Sequence, residues 1–488
     1  MISPAVKTRC VAVLTLGLTL IAYVWITSSG TWTHWNRYTH FNSQLADSFL
    51  HRRLSLATRP SAALLALPDP YDPIANEKLR AHDLSLYHGK YYMYWGPTPA
   101  VIQAGIWWVL GIDDPACGDV YLGVAFAYGM IVLVTALVFS IRARFFASHP
   151  PGTAGIAIFS LAMSAPIFFS LSSTNVYETA IFGGQLFLLG GLCAAWFAFQ
   201  GGGARPWLLV MTGVCWALSA GSRVSLPPAL AALTLIALWQ IHRSPPPAPR
   251  LRAAAALLLP LAIGAFLFGW YNYARFDSIL ETGATYQLSG QVQTKLFAEG
   301  FVSIGHIFTN FFAYLFTLPT KTMSFPYFVS VDASTWLRHF FYLWPDFRSE
   351  PVTGLVWTQS FLVFAPIALF MTRRHRPPRI SEDGRLFRWL VISLCVGAAL
   401  GDLPSLMMDG VTMRYLVDGL PCLGILAAIG YWQALEALAG RPRALREVRT
   451  AVRVIVPLEC LLGLLLGVSR NPGLFHAFTH HFPLWWQF

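Results

Sequence analysis

Eleven apolar runs divide the chain, and several approach the roughly 20 residues that a helix needs to cross a bilayer. They fall at about 10–28, 118–141, 154–172, 178–199, 207–221, 227–241, 253–273, 354–372, 386–402, 416–436 and 452–469. Only 12% of the 488 residues are charged, about half the usual share in soluble domains. The runs therefore predict an all-α polytopic membrane protein with about 11 transmembrane helices, built as a single transmembrane domain over 1–488. Two long hydrophilic stretches interrupt them, at 29–117 and 274–353. The run at 10–28 could pass for a signal peptide, but no A-x-A site follows it, and its length fits a retained helix.

Charge sets the expected orientation. Lys7 and Arg9 precede the first run. Alternate loops then carry Arg142 and Arg144, Arg205, Arg243 with Arg250 and Arg252, the run Arg373 to Arg388, and Arg441 to Arg453. By this count 19 of the 34 Lys and Arg fall on the N-terminal side, with four acids (Glu382, Asp383, Glu436 and Glu447). The other side holds 15 basic residues against 18 acids. Because Lys and Arg accumulate in cytoplasmic loops, the N-terminus is expected in the cytoplasm and the C-terminus outside. The two long loops are then extracytoplasmic. The net charge of +11 sorts by membrane side, which argues against nucleic acid as a partner. The seven cysteines show no CxxC or Cys/His spacing, so neither a disulfide framework nor structural zinc is expected.

Two shorter apolar stretches, 98–112 and 303–318, are about 15 residues each, short for a crossing. Crossing by either would invert the later charge pattern, so both are expected as helices lying along the outer surface. The runs 207–221 and 227–241 are also short, and GSRVSLPP between them breaks the helix. That pair is read as two short spans or a re-entrant hairpin. Ser244 to Arg250 reads as a stiff polyproline-like spacer. The tail, with His476, His480 and His481, is expected on the headgroups, with metal binding as the alternative.

The 29–117 loop concentrates polar chemistry in an otherwise apolar chain. It holds Asp47, Asp69, Asp72 and Asp83, and its centre reads PDPYDPIANEKLRAHDLSLYHGKYYMYWGPTPAV. This order of a first helix, a long acid-bearing loop, a YY…GPTPA stretch and a surface helix resembles the GT-C class of membrane glycosyltransferases. Those enzymes depend on polyprenyl-phosphate sugars, and include protein O-mannosyltransferases and the lipid A aminoarabinose transferase. STNVYETAIFGGQLF (Ser173 to Phe187) is similar to the short outer turn holding the class's second acid. The broken pair ending at Arg223 resembles its helix pair with a basic tip, and TMRYLVDGLP (Thr412 to Pro421) its late Arg-Tyr turn. WYNYARFDSILETGATYQL (Trp270 to Leu288) looks like a feature of one uncharacterised bacterial branch. The chain departs from the class at one point: Tyr38 or Thr39 stands where an Asp-Glu pair usually precedes the first loop helix, here LADSFLHRR.

The resemblance implies sugar transfer from a polyprenyl-phosphate donor to an envelope glycan, lipid or protein at the outer face of a bacterial inner membrane, with inversion. Such transfer needs a carboxylate to take the acceptor's proton and positive groups to stabilise the departing phosphate. Asp47 is the first candidate base, with pairing to Arg52 or Arg53 as its structural alternative. Glu178 stands near a helix start, where the helix dipole lowers the cost of burying it. Asp72 and Asp83 are further candidates, and with His82 could hold a divalent cation; no other cofactor is implied. Asp69 reads as a turn cap.

For phosphate, Arg223 is the first candidate, since a guanidinium fork suits phosphate oxygens; the alternative is snorkelling to the interface. Arg414 is the second, with a salt bridge to Asp409 or Asp418 as its alternative. Arg275 and Lys321 follow. Lys90, Tyr91, Tyr92, Tyr94, Trp95, Asn175 and Tyr177 are candidates for contacting the sugar, and the aromatic ones could equally form an interfacial belt. Glu459, mid-run, is assigned no role. A transporter or lipid-carrier flippase is the competing reading, against which no internal repeat is visible. An inactive envelope scaffold is the third.

Overall fold

The computed structural model describes residues 3–474 except 113, 202, 244–249, 299, 324, 345–346 and 372–380. The expected spacer at 244–249, the cationic run 373–380 and the C-terminal histidines lie outside the described residues.

The chain opens with α1 (Pro4–Thr27), and the first loop carries α2 (Phe41–Leu50), α3 (Ala62–Leu65), β1 (Ser85–Tyr87), β2 (Lys90–Tyr92) and α4 (Thr98–Leu110). Next come α5 (Asp119–Phe145), α6 (Pro151–Ala162), α7 (Ala165–Ser172), α8 (Val176–Ala198), α9 (Pro206–Ser222), α10 (Pro227–Arg243) and α11 (Arg250–Phe276). The second loop holds α12 (Gln293–Ala298), α13 (Ile307–Phe316) and α14 (Ala333–Leu337). The chain then forms α15 (Leu355–Thr358), α16 (Ala365–Met371), α17 (Glu382–Leu406), α18 (Leu420–Ala437) and α19 (Pro442–Arg470).

All eleven apolar runs fall in helical segments, but not all make straight crossings. Among the described residues seven helices are long and apolar enough to span: α1, α5, α8, α11, α17, α18 and α19. The pair α6 and α7, bent by 45°, makes an eighth if it is one span. Pro166 explains that bend. It lacks an N–H and its ring crowds the carbonyl four residues back, that of Ala162, which instead accepts the Tyr23 hydroxyl at 2.9 Å. The expected span 354–372 is broken into α15, a 3₁₀ turn over Ser360–Phe364 and α16. The stretches 98–112 and 303–318 are helical over Thr98–Leu110 (α4) and Ile307–Phe316 (α13).

Helices pack closely where side chains are small, as membrane helix interfaces favour. A Cβ on Gly213 of α9 would lie 2.4 Å from the Leu257 carbonyl of α11. The first loop seats against the end of α9 by the same device: a Cβ on Gly96 would lie 2.0 Å from the Gly221 carbonyl. This contact brings the loop beside Arg223.

The first loop has its own apolar core, built on Leu45, Leu64, Leu84, Met93 and Trp95 and continuous with Val176 at the start of α8. Burying each such side chain contributes about 1.5–3 kcal/mol. Within it β1 and β2 form a hairpin whose two-residue turn, His88 and Gly89, takes positive φ at both positions, the geometry that matches strand twist. The second loop joins this hairpin where Ser85 pairs with Gln287. Its later part runs parallel to the turn before α18, with Arg348–Ser349 beside Gly410–Val411.

Asp119 fixes where the first loop returns to the bundle. His40 starts α2 without a side-chain cap. The fully buried Asp119 carboxylate supplies one from a distance, accepting Thr39 Oγ1 at 2.6 Å, Phe41 N at 3.1 Å and Asn42 N at 2.9 Å. Thr39 Oγ1 in turn accepts Val176 N at 2.9 Å. Asp119→Ala orphans these donors, and leaving buried donors unpaired costs about 1–3 kcal/mol each. The variant is expected to unfold several degrees lower in detergent and to be cut faster by trypsin at Arg52, Arg53 or Arg59. Unchanged melting and proteolysis would show that Asp119 does not anchor the loop.

Candidate active site

Five segments meet at the loop-bearing end of the bundle: the end of α9, the start of α8, the turn before α18, and the two long loops. Each brings ionisable side chains.

Arg223 follows α9 directly. Its guanidinium donates to Asp418 Oδ2 from Nε at 3.2 Å and Nη2 at 2.7 Å, and lies over the Tyr415 ring at 5.3 Å. It does not snorkel: its side chain is 13% exposed and Asp418 is fully covered. Desolvation opposes its charge, but Asp418 and Tyr415 outweigh that and hold its pKa above the ordinary value. Burial pushes the Asp418 carboxyl up, while Arg223 pulls it back.

Arg414 grips Glu350 of the second loop with both ends of its fork, at 2.7 Å each, and Thr412 Oγ1 donates to the same carboxylate at 3.0 Å. The expected partners were Asp409 or Asp418. Asp409 instead lies 3.5 Å from Arg348, and Asp418 serves Arg223. Arg414 also covers the rings of Tyr177 and Tyr415 at 4.9 and 5.6 Å. Tyr415, Glu178 and Glu350 outweigh desolvation and raise its pKa.

Tyr177 carries the cluster on to the first loop, where its hydroxyl donates to Asp83. Asp83 also accepts Gln287 Nε2 at 2.7 Å, and sits at positive φ in a tight turn. Tyr94 neighbours both Tyr177 and Asp83; desolvation first, then these two groups, raise its pKa well above the phenol range. Asn175 and Glu178 form a capping box at the start of α8, with Glu178 Oε2 accepting Asn175 N at 3.1 Å. Glu178 is buried and faces the charge of Arg414.

Of the residues singled out from sequence, Arg223, Arg414, Asn175, Tyr177, Glu178 and Asp83 are thus brought together. Others have different work. Asp47 is paired with Arg53 at 2.9 Å and His51 at 2.9 Å, both just past the end of its helix. Asp69 caps Tyr71 N, and Asp72 caps Ile74 N, each at 2.9 Å. The grouping of Asp72, Asp83 and His82 therefore does not form: only His82 approaches Asp83, at 3.6 Å. Among the described residues no three His, Cys, Asp or Glu converge as metal ligands. Lys90 is exposed on the hairpin. Tyr91 and Tyr92 are buried, and Trp95 stacks with Phe41 and Tyr94 and meets Tyr177 edge-on. Arg275 clamps the first loop by donating to the Met93 carbonyl and to Asn272. Lys321 lies in a two-residue strand paired with Phe328–Val329.

Sequence reasoning missed Glu350 and gave no role to Tyr415 or Gln287. Tyr415 was within reach, adjacent to Arg414. Glu350 was not, because nothing in the sequence aligns the second loop with the 410–418 turn.

Glu350→Gln keeps the shape but removes the charge that fills the Arg414 fork. Charge-assisted pairs are roughly twice as strong as neutral ones, so Arg414 should become more reactive. Phenylglyoxal modification of Arg414, mapped by mass spectrometry, is expected several-fold faster in Glu350→Gln. An equal rate would mean that Glu350 does not occupy the fork in solution.

No protein family and no characterised protein matches the chain by sequence. The fold is similar to that of the oligosaccharyltransferase of Archaeoglobus fulgidus in its apo form, with a TM-score of 0.51 and 11% identity over 93% of this chain and 56% of that one. The chain thus spans little more than half of that enzyme's length. ArnT from Cupriavidus metallidurans, solved bound to undecaprenyl phosphate, aligns at a TM-score of 0.45 and 13% identity over 95% of this chain and 76% of that one. The chain is a multi-pass membrane protein with a GT-C-like fold.

Proposed function

We propose that this protein is a membrane glycosyltransferase that moves a sugar from a polyprenyl-phosphate donor to a hydroxyl of an envelope glycan, lipid or protein. One observation carries the reading. Arg223 and Arg414, far apart in sequence, flank Tyr415 in a single cluster that also contains Asp83 and Glu178. Two cations with carboxylates beside them at one end of a bundle suit a lipid phosphate arriving from the membrane plane. The fold similarity supports the same reaction class. The Lys and Arg asymmetry supports placing this end outside the cytoplasmic membrane of a bacterium, with the N-terminus inside.

The chemistry follows from the side chains. The two oxygens of Glu350 mark positions where the Arg414 fork can bind two oxygens of a phosphate. Arg223 adds a second guanidinium beyond Tyr415. An acceptor hydroxyl attacks the anomeric carbon while the bond from that carbon to the phosphate oxygen breaks. Charge grows on the departing lipid phosphate, where Arg414 and Arg223 stabilise it. Asp83 takes the hydroxyl proton, held in place by Tyr177 and Gln287. A single displacement inverts the anomeric centre. Glu178, buried in its capping box, orients Arg414 and does not need to exchange a proton.

This assignment moves the base from Asp47, which is already paired, to Asp83. Asp83→Asn in membranes is expected to cut transfer about 10²–10⁴-fold, the usual worth of general-base catalysis, while undecaprenyl phosphate still raises the melting temperature of the purified variant. Arg414→Ala should lose that thermal shift. Wild-type transfer by Asp83→Asn would remove Asp83 as base. Comparing envelope glycans by mass spectrometry with and without the gene, and finding them identical, would remove the transferase reading.

A further inference from the structure

Beneath Arg223, inside the bundle, lies a second polar nest that the transfer chemistry does not use. It is built by Gln185 of α8, Asp402 and Ser405 in the last turns of α17, and Asp418. Asp418 gives only Oδ2 to Arg223. Its Oδ1 is buried without a partner, as is Asp402 Oδ1. Gln185 and Ser405 hydrogen-bond loosely to the Asp418 carboxylate, short of the geometry that would satisfy Oε1 and Nε2 of Gln185 or the Ser405 hydroxyl. Gln185, Ser405 and Asp418 are each at most 2% exposed. Asp402 is pressed against the same turn: a Cβ on Gly419 would lie 2.1 Å from its Oδ2.

Native interiors rarely leave so many buried polar atoms unpaired, and each such group calls for an explanation, an unplaced ion among them. With both carboxyls ionised, Asp402 and Asp418 would bring two negative charges against the single positive charge of Arg223, and Arg414 is already matched by Glu350. Asp402 and Ser405 stand in the C-terminal turns of α17, the negative end of that helix. An uncompensated carboxylate is costly away from water. Carboxylate, amide and hydroxyl oxygens are the ligands of hard cations.

We propose that Asp402 Oδ1, Asp418 Oδ1, Gln185 Oε1 and Ser405 Oγ form a site for a monovalent hard cation of the sodium class. One such ion brings the nest to neutrality. It shares Asp418 with Arg223, and so stiffens the turn from Met413 to Asp418 that carries Arg414. The site stands independently of the transferase reading, since it rests on buried oxygens and charge alone.

The test is thermal unfolding of the full chain in detergent, with sodium chloride replaced stepwise by choline chloride at constant ionic strength. The melting temperature is expected to rise by several degrees with sodium and to saturate, as binding to the folded state alone requires. Asp402→Asn and Gln185→Leu should flatten that rise. If either fails to fold, Ser405→Ala should shift the half-saturating sodium concentration upward several-fold. Equal melting in sodium and choline overturns the site, as does a full sodium response in Asp402→Asn. Stabilisation by acid in choline without a sodium response assigns Asp402 a proton and overturns it too. A response to magnesium or calcium but not sodium overturns the monovalent assignment.

Discussion

Pairing buried charge at one end of the helix bundle is the constraint on which the remaining structure depends. A guanidinium withdrawn from water without a partner loses several kcal/mol that packing does not return. Arg223 therefore needs Asp418, and that ties the end of α9 to the turn before α18. Arg414 needs Glu350, and that draws the second loop onto the same turn, where Arg348–Ser349 pairs with Gly410–Val411. Tyr177 completes the set by joining the start of α8 to Asp83 in the first loop. The loops are placed by the same contacts that form the cluster, so fold and site are not separable here. A substitution in either arginine changes loop placement as well as ligand chemistry.

The local features of this architecture are legible in the sequence, and the long-range ones are not. Apolar runs mark helices because each is a contiguous property of the chain. Gly221, Pro227 and Pro228 mark the broken pair because glycine and proline punctuate locally. The capping box of Asn175 and Glu178 is likewise written in adjacent residues. The broken segment 355–371 is different. Its 3₁₀ turn begins where Phe361 N donates to Glu459 of α19 and Gln359 donates to Ser160 of α6. Hydropathy alone shows a continuous span there, because the cause sits on two other helices. The same limit hid Glu350, which comes to Arg414 through a strand pairing of two residues. It also explains why Asp72 read as a ligand: composition gives the carboxylate, but only the turn geometry shows it facing its own backbone.

Carboxylates inside the bundle meet their desolvation cost in two contrasting ways. Glu459 has no charged partner in its own helix, yet both of its oxygens are used, one by the Ser160 hydroxyl and one by Phe361 N. Its role is complete within the chain, joining α6, α19 and the 359–361 break. Asp402 and Asp418 are otherwise. Each leaves an oxygen unpaired, and hydroxyl and amide groups that could have filled the gaps stand beside them unaligned. Had packing alone selected these residues, an asparagine or a turned hydroxyl would satisfy the nest at lower cost. The surplus oxygens therefore point to a component outside the polypeptide, and Asp418 makes that component matter. Among the described residues it is the carboxylate bonded to Arg223, so whatever neutralises Asp402 and Oδ1 of Asp418 also sets how much positive charge Arg223 can offer to an anionic ligand. The geometry couples the inner nest to the outer cluster through one side chain.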